Sequence, residues 1–146
     1  MLIRTTRFGS LEMDADETIQ FPKGLLGLED CHTWVLLGDA HNAALGWLQS
    51  TTRPDVALAV VSPRRFVPDY QFRVVRSDLK VVALADARDA QILVIVGKNH
   101  RGATLNLKAP IVVNVAARTA CQVIAQGELP LQYELAGAVT PLRKSA

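Results

Sequence analysis

Cysteine is scarce in this 146-residue chain, and the two present, Cys31 and Cys121, stand far apart. Neither belongs to a C-x-x-C pair. The expectation is therefore two buried thiols in a reducing compartment rather than a disulfide framework. His32, His41 and His100 share no ligand spacing with each other or with the cysteines, which argues against a metal centre. No apolar run approaches the roughly 18 residues of a membrane span. The opening MLIRTTRFGS has no apolar signal-peptide core, so the expected location is cytoplasmic.

Catalytic signatures are also missing. There is no G-x-S-x-G elbow, no phosphate loop ending in Gly-Lys-Ser/Thr, and no H-E-x-x-H helix. Gly24-x-x-Gly27 lacks the third glycine of a dinucleotide fingerprint, and Leu25 and Leu26 would put apolar bulk where a phosphate should sit. Asp14, Asp16 and Glu17 are close in sequence, but no positioned nucleophile accompanies them, so they read as a solvated rim. These absences predict a protein that is not an enzyme and needs no cofactor.

Acidic residues are absent from Gln91 to Gly127, where Lys98, Arg101, Lys108 and Arg118 stand alone. Six acids instead gather from Glu12 to Asp30: Glu12, Asp14, Asp16, Glu17, Glu29 and Asp30, against the single base Lys23. The net charge of +2 thus hides a chain polarised along its length.

What is abundant is strand signal. Leu2–Thr6 and Ser10–Met13 flank Arg7-Phe8-Gly9, which reads as a hairpin or sharp bend. Thr33–Leu37, Gly46–Ser50, Ala57–Ser62 and Gln91–Val96 are short apolar runs closed by turn formers. In TLNLKAPIVVNVAAR, Leu105, Leu107, Ala109, Ile111, Val113 and Val115 alternate with Thr104, Asn106, Lys108, Pro110 and Asn114. That period of two predicts one long strand with the second set facing outward, bent where Pro110 cannot donate to a ladder. Thr119–Ala125 should return antiparallel. Only Ser77–Ala87 looks helical, for about a turn, with Ser77 as N-cap. The expected fold is all-β: a small antiparallel barrel, partly open, with a bulged long strand and at most one short helix. It would occupy residues 1–135, with 136–146 as a flexible tail.

Arg64, Arg65, Arg73, Arg76 and Lys80 cluster in sequence. With Phe66 and Tyr70 exposed as stacking platforms, they could serve a small barrel that binds single-stranded nucleic acid. The competing reading makes RRFVPDYQF a loop strapped over the barrel end, with Phe66 and Tyr70 as plugs. Trp34, Trp47 and Phe72 read as core.

FPKGLLGLE (21–29), WLQS (47–50) followed by Pro54-Asp55, FVPDY (66–70) and LNLKAPIVVN (105–114) resemble, in order and spacing, the flagellar assembly factor FliW family. The resemblance runs from about Arg7 to Gln122. It implies a non-enzymatic cytoplasmic barrel with two protein partners, flagellin and the RNA-binding translational repressor CsrA. Binding CsrA would relieve repression of flagellin translation, and accumulated flagellin would capture the barrel and free CsrA. Direct nucleic-acid or membrane binding is not implied. Candidate partner-binding residues on the matching motifs are Phe21, Pro22, Gly24, Leu25, Gly27 and Leu28 in the first loop, with Leu25 and Leu28 as apolar contacts. Phe66, Pro68, Asp69 and Tyr70 form a second patch, and Asn106, Lys108, Pro110 and Asn114 lie on the long strand. This chain departs from the acidic character typical of the family, so electrostatic exclusion of RNA would fall to Glu12, Asp14, Asp16, Glu17, Glu29 and Asp30. The sequence after Gln122 also diverges from the family pattern.

Overall fold

A computed structural model of the chain describes residues 1–135; the expected tail 136–146 lies outside them. Strand β1 (Leu2–Thr5) pairs with β2 (Gly9–Glu12) as a separate hairpin in the register Thr5↔Gly9. Its turn is built locally. Gly9 takes φ +75°, while the Thr5 hydroxyl donates to the Gly9 carbonyl and accepts from the Phe8 amide.

A 3₁₀ turn (Ala15–Glu17) leads into β3 (Thr18–Gln20), followed by β4 (Thr33–Gly38), β5 (Gly46–Ser50) and β6 (Ala57–Val61). After a long connection come β7 (Ala90–Asn99), β8 (Gly102–Leu105), β9 (Ile111–Asn114), β10 (Thr119–Gln122) and β11 (Tyr133–Glu134). Strands β3, β4, β5, β6, β7, β9 and β10 close into a seven-stranded barrel, with β8 and β11 added as an arm on β7. Neighbours are antiparallel except β10 and β3, which are parallel and share one register pair, Thr119↔Gln20. Arg118 reinforces that weak seam. At φ +56° it sends its guanidinium to the Glu17 and Thr18 carbonyls at 2.6 and 3.3 Å, and its own carbonyl accepts from the Gln20 amide.

The barrel interior is filled by Ile19, Phe21, Trp34, Leu48, Val60 and Ile111, all essentially excluded from solvent. Phe21 and Trp34 meet edge to face at 6.0 Å, and the Trp34 indole N–H is satisfied by the Cys31 carbonyl at 2.9 Å. Both cysteines are buried free thiols. Burial pushes the Cys121 thiol up to about 11.

The all-β barrel expected from sequence is present, and four details differ. The ring is closed rather than partly open, because the first half of β7 pairs with β9 (Ala90↔Asn114 to Leu93↔Ile111). The long bent strand is β7, not residues 104–118. Asn106–Pro110 leave the ladder between β8 and β9, since the Asn106 carboxamide accepts from the amides of Lys108 and Ala109 and competes with strand pairing. The helical segment is a 3₁₀ helix, Arg76–Val82, starting at Val75 without a side-chain cap and ending at Ala83 with φ +48°. Ser77 therefore lies inside it and caps nothing. Trp47 is not core: it sits half-buried on the outer barrel face, under the Arg7 guanidinium at 4.2 Å and edge-on to Phe8.

Candidate interaction surface

FPKGLLGLED forms a tight loop between β3 and β4. Phe21 is its anchor in the barrel. The Phe21 amide donates to the His32 carbonyl at 2.7 Å, and the Gly24 amide donates back to the Phe21 carbonyl at 2.8 Å. Gly24 adopts φ +65°, and a Cβ there would fall 2.5 Å from the Leu28 carbonyl oxygen, so only glycine fits. Leu25 and Leu28 exchange backbone hydrogen bonds across a two-residue turn, Leu26-Gly27, with Gly27 at φ +84°. The Gly27 amide donates to Glu29 Oε2 at 2.8 Å.

This geometry sorts the leucines. Leu25 is only 2% exposed and packs in the core, whereas Leu26, at the turn tip, is 57% exposed. Leu28 is partly buried against the barrel. Leu25 is therefore a core residue rather than a surface contact, and the apolar group presented to solvent is Leu26. Sequence reasoning missed Leu26 because the turn inverts the usual logic: pairing of the flanking residues decides which leucine points out. Pro22 and Lys23 are exposed beside it.

Gln122 ties this loop to the next. Its Oε1 accepts from the Leu26 amide at 2.9 Å, and its Nε2 donates to the Ala109 carbonyl at 3.1 Å. In that second segment Pro110 and Asn114 are buried, not outward. The Asn114 carboxamide donates to the Val82 carbonyl at 2.7 Å and accepts from the Ala117 amide at 3.1 Å, holding the 3₁₀ helix against the barrel. Thr104, also predicted outward, is buried too, and Val115 of the set predicted inward is exposed instead. Asn106 and Lys108 are half-buried, and the Lys108 ammonium donates to the Gly127 carbonyl. Leu26 and Ile124, both exposed, flank Gln122 in space and in sequence respectively.

In the second patch Phe66 and Tyr70 are buried. The Tyr70 hydroxyl donates to the Leu107 carbonyl at 2.7 Å, and burial pushes the phenol up to about 12. The Arg64 guanidinium donates to the Tyr70 carbonyl at 3.0 Å. The segment is thus a strap plugged by two aromatics, and only Pro68 and Asp69 stand exposed at its tip. A stacking surface built from Phe66 and Tyr70 is not available on this face.

The acidic residues form two groups at the two ends of β3. Glu12 is paired with the N-terminal ammonium at 2.7 Å, Glu17 accepts from the Asp14 amide at 2.9 Å, and Asp16 projects from the same turn. Glu29 is spent on its own loop, and Asp30 lies 4.0 Å from Arg53. Arg118 and Arg53 thus reach into the acidic regions, and the polarity along the sequence is diluted in space. Among the described residues no cluster of three or more His, Cys, Asp or Glu could hold a metal, and no helix is long and apolar enough to cross a membrane.

The family model described as FliW protein matches residues 2–135. The flagellar assembly factor FliW of Bdellovibrio bacteriovorus is 37% identical over 128 residues, covering 86% of this chain and 73% of its own. That of Magnetococcus marinus is 34% identical over 136 residues, covering 90% and 83%. A crystal structure of the flagellar assembly factor FliW superposes with a TM-score of 0.84 at 25% identity, covering 93% of this chain and 96% of that one. With the barrel, the glycine-locked loop and the aromatic strap all inside the matched region, the chain belongs to the FliW family of flagellar assembly factors.

Proposed function

We propose that this chain is a non-enzymatic cytoplasmic regulator that binds CsrA and flagellin in alternation, so that flagellin translation follows flagellin level. The observation that carries the reading is the family match across the whole barrel. The exposed Leu26 tip agrees with it. A leucine in water on a loop stiffened by two positive-φ glycines and a Gln122 brace loses little conformational freedom on binding.

In this reading Pro22, Leu26, Gly27 and Leu28 present the apolar contact, while Phe21, Gly24 and Leu25 hold its shape. Asp69, Asn106 and Lys108 add polar contacts and Pro68 a rigid apolar one, with Phe66, Tyr70, Pro110 and Asn114 as their buried supports. Asp14, Asp16 and Glu17, with Glu12, Glu29 and Asp30, supply whatever negative field keeps RNA away. Exchange needs no chemistry, because each partner removes free barrel from the other's equilibrium.

Co-purification with each partner, followed by competition, tests the proposal. A discrete complex with each at micromolar concentration, and displacement of CsrA by flagellin, is expected. Failure of both complexes removes the switch. Binding of single-stranded RNA that weakens steeply with salt would instead favour the Arg64–Lys80 cluster as a nucleic-acid site.

A further inference from the structure

Strands β6 and β7 are joined by only two register pairs, Val60↔Ile95 and Val61↔Val94. Beyond them the strands part, because β7 continues into the arm and pairs there with β8, from Val96↔Leu105 to Asn99↔Gly102. The alternation of an antiparallel ladder then fixes where the free peptide groups point. The Ser50 amide donates to the Val56 carbonyl at 3.0 Å, so Val56, Leu58 and Val60 turn their peptide groups to β5, and Ala57 and Ala59 turn theirs the other way. The Asn106 amide donates to the Ile95 carbonyl at 3.0 Å, so Ile95, Gly97 and Asn99 face β8, and Val96 and Lys98 face away. Two strand edges thus face one another across a cleft of about 600 Å³.

The floor and rim of this cleft suit an extended chain. Ala57 and Ala59 offer little side-chain bulk, and the half-buried Trp47 gives an apolar surface. The charged side chains lining it are Arg7 and Lys98, both basic and exposed. Unpaired strand edges bind other strands readily unless covered, and a basic rim selects against basic segments.

We propose that the cleft between β6 and the β7 arm is a docking site for an extended, anionic peptide segment of a partner protein, bound by strand addition. The Val60↔Ile95 pair already uses the Ala59 carbonyl and the Val96 amide. Such a segment therefore bonds its backbone to the open groups of Ala57 and Lys98, with the Ala59 amide and the Val96 carbonyl next to them, lays apolar side chains on Trp47, and sets carboxylates beside Arg7 and Lys98. This stands apart from the exchange between CsrA and flagellin, since the Leu26 loop lies elsewhere and neither site needs the other.

The probe is the blocked peptide acetyl-Asp-Val-Thr-Val-Thr-Val-Asp-amide, with a version N-methylated at alternate residues. Amide hydrogen exchange by NMR reads the backbone directly. In the free protein the Ala57 and Lys98 amides should exchange at least about tenfold faster than those of Leu58 and Gly97, which sit in paired ladders. The peptide should slow exchange at Ala57, Ala59 or Lys98 and shift Trp47 fluorescence, and the N-methylated version should do neither. Lys98→Glu, and Arg7→Glu with Lys98→Glu, should weaken binding, the double change by about tenfold. Both positions are exposed, so an unchanged thermal midpoint checks folding. Equal protection of these amides in the free protein overturns the proposal. So does binding by the N-methylated peptide, protection that rises with protein concentration alone (a second copy as occupant), or no binding at millimolar peptide.

Discussion

One carboxamide, that of Gln122, accepts from the Leu26 amide at 2.9 Å while its nitrogen donates to the Ala109 carbonyl at 3.1 Å. The loop that presents Leu26 is therefore braced from β10, and its position depends on a residue far away in sequence. Gln122→Leu should cost about 1–2 kcal/mol in denaturant unfolding. It should also speed exchange of the Leu26 amide. An unchanged Leu26 exchange rate would show that the brace does not hold the loop.

Leu26 and Leu25 separate binding from folding. Leu26→Asp should leave stability within about 0.5 kcal/mol of the parent and weaken complexes with CsrA or flagellin at least tenfold. Leu25→Asp buries a charge and should unfold the protein or cost upward of about 4 kcal/mol. Calorimetry for stability and titration for binding distinguish the two. Equal partner binding by parent and Leu26→Asp would take this loop out of the interface.

The two loop glycines differ in what surrounds them. Gly24→Ala meets the Leu28 carbonyl at 2.5 Å as well as a positive φ, whereas Gly27→Ala meets only the φ penalty, having open space around it. Urea unfolding should show about 1 kcal/mol lost at Gly27 and a clearly larger loss at Gly24. Similar losses would indicate that the loop relaxes around the added methyl.

Tyr70 links the aromatic strap to Leu107 through a buried hydrogen bond of 2.7 Å. Tyr70→Phe leaves that carbonyl without its donor and should cost about 1–3 kcal/mol. The folded phenol is raised to about 12 from 10. The unfolded chain therefore loses its proton first, and stability declines as pH rises through 10 towards 12. Thermal midpoints measured over that window should fall less steeply in Tyr70→Phe than in the parent.

The buried thiols should be inert in the native state. Cys121, with its thiol raised to about 11, should not react with a disulfide reagent at pH 8 until the barrel opens. Fast labelling of folded protein would contradict its burial.

Local chemistry was enough to determine most of the short strand runs and the Arg7-Phe8-Gly9 turn. Each depends on backbone preference or on side chains within a few residues. The tertiary structure decided the rest. Alternation predicts outward faces for Pro110 and Asn114 only if one strand continues, and the Asn106 carboxamide breaks it, so both residues are buried by packing that Val82 and Gln122 complete. Trp47 reads as core by hydropathy, yet strand register places it opposite Ala59 on the outer face. Leu25, Leu26 and Leu28 are chemically equal in sequence, and only the bridge between Leu25 and Leu28 makes Leu26 the exposed one. Closure of the ring follows from the pairing of the first half of β7 with β9, and the cleft from the parting of β7 from β6 where its other edge passes from β9 to β8, choices made between strands distant in sequence.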